Sequence, residues 1–156
     1  MQPLGKISGL DVLILDWCRR VDTLVFNSAA HNGIPSEFVP VYNEAFSMLF
    51  KGIAERDVDL IGQAASLSAR VHQNILFKPE LDEVSKLAED VDSPGVCVAH
   101  SGSLIGVLLK TGESEEKEKI RDYIVSRLPG EPEHSLHAVV GGGPRYISDK
   151  SKCMFI

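Results

Sequence analysis

The stretch Gly95–Lys110, GVCVAHSGSLIGVLLK, decides how the chain is read. Two apolar runs, Gly95–Ala99 and Leu104–Leu109, flank His100-Ser101-Gly102-Ser103, a bend of small polar residues and one histidine. Short aliphatic runs on either side of a Ser/Gly turn predict two strands paired as a hairpin. Gly102 is free to take positive φ, which would turn successive backbone N–H groups toward one point. Such a concavity suits phosphate or carboxylate oxygens, and the flanking serine hydroxyls add donors. A plain Ser/Gly hairpin turn with no ligand has the same composition, so spacing alone leaves both possibilities open.

Upstream of the hairpin, LDVLILDW (Leu10–Trp17) has the nearly continuous apolar character of a covered strand, and DTLVFN (Asp22–Asn27) is a weaker strand candidate. From Ser36 to Arg56 apolar residues recur at helical spacing (Phe38, Val41, Ala45, Met48, Leu49, Ile53), with Pro40 acceptable in the first turn. Asp57 is placed to cap a second helix whose stripe is Leu60, Ala64, Leu67, Val71 and Ile75. Pro79 opens a third, with Leu81, Val84, Ala88 and Val91 facing inward. Downstream, Ser114 with Glu115 and Glu116 starts a helix with buried side Ile120, Tyr123, Ile124 and Leu128, and SLHAVVGGG supplies a last strand. Helices grouped beside a largely antiparallel sheet predict an α+β fold, a ferredoxin-like βαββαβ sandwich with extra helices in the first crossover.

The chain has 156 residues, 44% of them hydrophobic and 24% charged, as in an ordinary globular protein. A net charge of −6 with no dense Lys/Arg stripe argues against nucleic acid or an anionic membrane as partner. Cys18, Cys97 and Cys153 are too scattered for a disulfide framework or a zinc site, as expected of reduced thiols in a cytoplasmic protein. The C-terminal KCMFI formally fits a prenylation box but reads better as an apolar tail. His31, His72, His100, His134 and His137 lack metal-ligand spacing and read as surface or hydrogen-bonded structural groups, and no metal site is expected. No GxxxxGK[ST], GxSxG or HExxH motif occurs.

The candidates for chemistry are therefore few. His100, Ser101, Gly102 and Ser103 form the phosphate or substrate loop. Asp16, Asp22, Thr23 and Asn27 cluster around the end of the first strand and are candidates for a substrate cleft, although the same residue types form ordinary turns. GGGPR (Gly141–Arg145) could approach a phosphate but reads as the exit from the final strand.

These residues carry a resemblance. LAEDVDSPGVCVAHSGSLIGVLL (Leu87–Leu109) resembles the third motif of the GHMP small-molecule kinases, where a helix, a strand, a small-residue loop and a second strand lie in a ferredoxin-like C-terminal domain. The similarity is to the L-threonine kinase branch, associated with propanediol utilisation and cobalamin biosynthesis. It rests on Val21-Asp22-Thr23 with Phe26-Asn27, on Gln73–Leu76 with Lys78-Pro79 and Leu81, and on Ala99–Gly102 with Ile105–Leu108. Leu104 departs from the small residue usual at its place, which leaves Ser101, Gly102 and Ser103 as the matching loop positions.

The resemblance implies transfer of the ATP γ-phosphate to a hydroxyl of L-threonine or a related hydroxy amino acid, with ATP and Mg²⁺ as cofactors of the intact enzyme. The family's ATP loop, PxxxGLGSSA-like, does not occur in these 156 residues. Residues 1–30 are accordingly expected to lead on from an N-terminal kinase domain or subunit, with 31–145 as the C-terminal-like domain and 146–156 as a tail. The isolated chain is expected to hold no cofactor, to contain no catalytic residue of its own and to be inactive. Uncovered apolar surface near the first strand, and a homodimer in response, are further expectations. A non-catalytic amino-acid-binding or regulatory ferredoxin-like module is the alternative. A hydrolase using Ser101 and His100 is disfavoured because no orienting acid is evident.

Overall fold

In the computed structural model, residues 6–19, 22, 35–100 and 102–140 are described. The elements in order are β1 (Leu10–Asp16), a 3-10 turn (Ser36–Phe38), α1 (Val39–Glu55), α2 (Val58–His72), α3 (Leu81–Asp90), β2 (Gly95–Val98), β3 (Ile105–Lys110), α4 (Ser114–Val125) and β4 (Glu133–Ala138). The four strands make one sheet in the order β2–β3–β1–β4, and all three pairings are antiparallel. That is the ferredoxin-like βαββαβ arrangement with α1, α2 and α3 all in the first crossover, as the element order predicts.

Side chains alternate across each strand, so the register decides which residues share a face. Leu13 pairs with Val107, Leu15 with Ile105, and Val96 with Val107. On this face they join Leu109, Leu81, Val84, Leu87 and Ala88 from β3 and α3, and Ile124 and Leu128 from α4 and its exit, in the main core. Asp11 lies on the same face and meets Lys117 of α4 at 2.6 Å.

The free edge of β2 is covered by α2. A methyl at Gly62 would lie 2.1 Å from the Pro94 carbonyl oxygen, so only glycine allows helix and strand to touch here. The Ser66 hydroxyl oxygen then accepts the Val96 N–H at 2.9 Å, satisfying an edge group that would otherwise invite pairing. The helical hairpin α1–α2 turns at Arg56, which has φ 57°, and Asp57 Oδ1 caps α2 by accepting the Leu60 N–H at 2.9 Å. From that edge the hairpin reaches both faces of the sheet. Ala69 enters the main core, and Ile61 packs with Leu10 and Leu108 on the opposite face.

Three details differ from the sequence expectation. In α2 the buried aliphatic side chains are Ile61, Ala64, Ala69 and Val71, whereas Leu60 and Leu67 are only half-buried; contact with both α1 and the β2 edge turns the helix from its simple apolar stripe. The helix expected at Ser114 starts there, whereas α3 begins at Leu81 and not at Pro79, with Glu80 at the cap position. The last strand lies at Glu133–Ala138 and does not take in Val139 and Val140, because backbone pairing with β1 sets it, while Gly141–Gly143 lie outside the described residues. The second strand candidate, Asp22–Asn27, lies outside the described residues except for Asp22, which is exposed and in no strand. Apolar surface is uncovered on α1, where Phe46 is 54% and Phe50 49% exposed.

Candidate functional site

At the end of β1 the chain meets the bend between β2 and β3. Leu15 pairs with Ile105, so Asp16 comes level with the residues just before β3. The bend is closed by the Ala99 N–H donating to the Leu104 carbonyl at 3.1 Å. The Ser103 hydroxyl donates to Asp16 Oδ1 at 2.7 Å, and the same oxygen accepts the Cys18 N–H at 2.8 Å. The Ser103 proton is thereby committed to a carboxylate rather than held out as a donor to an anion. Asp16 Oδ2, and the N–H groups of Gly102 and Ser103, take no hydrogen bond among the described residues. The open donors of the bend are therefore backbone amides, beside one carboxylate oxygen able to receive a hydroxyl, an ammonium or a hydrated cation.

Positive φ among the described glycines is confined to Gly9, Gly95 and Gly130. A Cβ at Gly102 would meet the Ala99 Cβ at 3.4 Å, an ordinary contact. Its missing side chain keeps the bend uncovered.

Beneath the bend lies the end of α2. His72 is buried and its Nε2 is 2.9 Å from the His100 carbonyl oxygen. A carbonyl only accepts, so Nε2 carries the proton of the neutral ring. The His72 and His100 rings lie 4.9 Å apart, tilted by 56°. Burial pulls the His72 pKa below the usual histidine value, partly countered by the bond to the His100 carbonyl, while the His100 and Lys78 charges lower it further.

The segment after α2 is pinned by Gln73. Its Nε2 donates to the Lys78 carbonyl and its Oε1 accepts the Lys78 N–H, both at 2.8 Å. Lys78 is 4% exposed, and its Nζ has no hydrogen-bond partner among the described residues. Burial lowers its pKa. Glu80, also buried, is held by both terminal nitrogens of Arg19, one of them at 2.8 Å. This hydrogen bonding keeps the Glu80 carboxyl below its ordinary range against the opposing effect of burial.

Asp16, His100, Gly102 and Ser103 are thus brought together. Ser101, Thr23, Asn27, His31 and Gly141–Arg145 lie outside the described residues, and Asp22 is exposed. Among the described residues no three His, Cys, Asp or Glu side chains gather as a metal site, and no helix is long and apolar enough to cross a membrane. His72, Gln73, Lys78 and Glu80 carry no functional expectation from the sequence. The available signal is a lysine flanked by Phe77 and Pro79, in a place where an ordinary solvated lysine would have polar neighbours.

No family model matches the chain. It is 30% identical over 141 residues to an L-threonine kinase of Citrobacter freundii, covering 86% of the chain and 47% of that protein. It is 34% identical over 91 residues to an L-threonine kinase of Salmonella typhimurium, covering 53% of the chain and 28% of that protein. The chain therefore spans about half the length or less of the curated relatives it matches. Among solved structures, L. major mevalonate kinase in complex with R-mevalonate superposes with a TM-score of 0.71 at 13% identity, over 92% of the chain and 46% of that protein. Homoserine kinase of Cytophaga hutchinsonii does so at 0.61 and 19%, over 90% and 44%. Streptococcus pneumoniae phosphomevalonate kinase, in complex with phosphomevalonate and AMPPNP, does so at 0.67 and 9%, over 88% and 42%.

Proposed function

The chain has the C-terminal fold of the GHMP kinases and is related in sequence to the L-threonine kinases, and from that premise we propose that it is one half of an ATP-dependent kinase. The acceptor in this proposal is the side-chain hydroxyl of L-threonine or a related hydroxy amino acid. The observation that carries it is the 141-residue match to an L-threonine kinase, which covers 86% of the chain.

The residues present fit part of a phosphoryl-transfer site. The Gly102 and Ser103 amides are donors suited to phosphoryl oxygens, and Asp16 Oδ2 suits the acceptor's ammonium or hydroxyl, or water on a magnesium ion. Mg·ATP supplies the phosphoryl group when bound. The Ser103–Asp16 bond fixes the carboxylate relative to the bend, so donor wall and acceptor wall keep one spacing. No PxxxGLGSSA-like loop occurs in these 156 residues, so the main nucleotide clamp comes, in this proposal, from a separate N-terminal half.

A coupled ADP-release assay with L-threonine and Mg·ATP tests this. The 156-residue chain alone is expected to give no turnover above a Gly102→Val control. Fused behind the N-terminal half of the Citrobacter freundii relative, it is expected to release ADP in an L-threonine-dependent way that Asp16→Ala abolishes. Turnover by the isolated chain would overturn the division of labour. L-threonine bound between two copies, indifferent to nucleotide, would instead assign a regulatory module.

A further inference from the structure

Lys78 has no role in the site as built so far, yet it is the most anomalous charge in the molecule. Its ammonium is buried, and among the described residues it has neither a hydrogen bond nor an ion pair. A buried cation without a partner is costly, and such a group in a native fold calls for an explanation. The nearest acid in sequence does not compensate it: Glu80 is already held by Arg19. Nor is the backbone free to carry the side chain elsewhere, since both polar groups of the Lys78 main chain are fastened to the Gln73 amide.

The surroundings give the direction. The Lys78 main chain is fastened to Gln73, the residue after His72, and His72 is bonded to the His100 carbonyl of the bend; the Lys78 charge also lowers the His72 pKa. A buried lysine therefore lies on the segment that Gln73 and His72 tie to the loop of the proposed kinase site. The opposite end of that loop holds the negative charge of Asp16. An α-amino acid has these two charges in complementary order, a carboxylate and an ammonium flanking the carbon that bears the reacting side chain.

We infer that Lys78 Nζ is the binding group for the carboxylate of the hydroxy amino acid substrate. The inference rests on the kinase reading above and adds the group that orients the acceptor. A carboxylate monoanion matches a single buried ammonium in charge, whereas a phosphate dianion would remain half compensated there. The phosphoryl oxygens are left to the backbone amides of Gly102 and Ser103. Held by Lys78 at one end and Asp16 at the other, the amino acid has its hydroxyl fixed relative to the bend. An amino alcohol lacking the carboxylate would not be so held.

The test uses the 156-residue chain with lysine side chains labelled for NMR, titrated separately with L-threonine, L-threoninol and inorganic phosphate. L-threonine is expected to shift the Lys78 Nζ and Cε signals and those of Asp16 and Ser103, while L-threoninol leaves Lys78 unmoved. Lys78→Met is expected to lower L-threonine affinity roughly tenfold to a hundredfold, the worth of a charge-assisted hydrogen bond, to the level of L-threoninol. Lys78→Arg is expected to recover part of it. The melting temperature of Lys78→Met should equal or exceed that of the unaltered chain, which separates a lost ligand from a lost fold. If L-threonine shifts Asp16 and Ser103 but not Lys78, the inference fails and the kinase reading stands. If L-threonine shifts nothing, the carboxylate assignment fails, and the kinase reading is decided by ADP release from the fused protein. If phosphate rather than L-threonine moves Lys78, the site is a phosphoryl subsite and the carboxylate assignment is overturned.

Discussion

Replacing Gly62 by alanine sets two physical effects against each other, and the structure dictates which prevails. Gly62 lies in the interior of α2, where alanine is better than glycine by about 1 kcal/mol on helix propensity alone. The new methyl, however, would lie 2.1 Å from the Pro94 carbonyl oxygen and 2.3 Å from its carbon. Both are backbone atoms, so the clash cannot be relieved by a rotamer change. Helix and strand would have to part by about 1 Å to restore ordinary contact.

Parting them has a definite consequence. The Ser66 hydroxyl accepts the Val96 N–H at 2.9 Å, and Val96 is buried. Losing that partner costs roughly 1–3 kcal/mol, and overpacking costs roughly another 1–3 kcal/mol. After subtracting the propensity gain, the net destabilisation is about 1–5 kcal/mol, or a fall in melting temperature of roughly 2–20 °C for a chain of this size. Thermal unfolding followed by circular dichroism measures it, with Gln63→Ala on the exposed side of the same helix as the control. Hydrogen exchange at the Val96 amide should accelerate in Gly62→Ala and not in the control. A melting temperature equal to or above that of the parent would refute the close packing of α2 on the β2 edge, because propensity would then act unopposed. The effect should also reach the candidate site, since α2 ends in the histidine that holds the bend.

Other expectations are equally direct. The folded chain binds a proton at His72 only at lower pH than the unfolded chain, whose histidine titrates near pH 6.5. Between these two values the unfolded state holds more protons, so stability falls as pH drops through about 6.5. Melting temperatures from pH 7.5 to 5 should decline more steeply for the parent than for His72→Gln, and parallel curves would contradict the burial. Lys117→Met leaves the Asp11 carboxylate buried without its ion pair and should cost about 3 kcal/mol in urea unfolding, while Asp11→Leu combined with Lys117→Met should restore most of that loss. Asp57→Ala removes the α2 cap and should cost about 1 kcal/mol by the same measurement.

Much of the fold was legible because its central strands are apolar along their whole length. β3 is covered on both faces, so Ile105–Leu109 shows as an uninterrupted run, and the bend before it shows as its interruption. β4 is harder to read because it is an edge strand with little buried surface. Glu133, His134, Ser135 and His137 are all exposed, so neither alternation nor apolarity marks them, and the neighbouring valines draw attention instead. The rotation of α2 is likewise a tertiary effect: a helix wedged between another helix and a strand edge buries more than one stripe.

Within the site the same distinction holds, between residues close in sequence and residues that only topology brings close. β1 and β3 run in opposite directions, so the end of β1, the start of β3 and the bend between β2 and β3 all fall at one end of the sheet. β4 begins there too, and Trp17 Nε1 donates to the Pro129 carbonyl at 2.9 Å across that end. Asp16 and Ser103, 87 residues apart in sequence, become hydrogen-bonded neighbours for this reason alone. α2 lies along β2 and delivers His72 and the following segment to the same end, where Lys78 is buried instead of solvated. Composition identifies a glycine-and-serine bend as an anion loop or a plain turn without deciding between them. The lysine tied to it through Gln73 and His72, and the aspartate beside it, are what give that end of the sheet a charge pattern, and neither placement can be known before the sheet is closed.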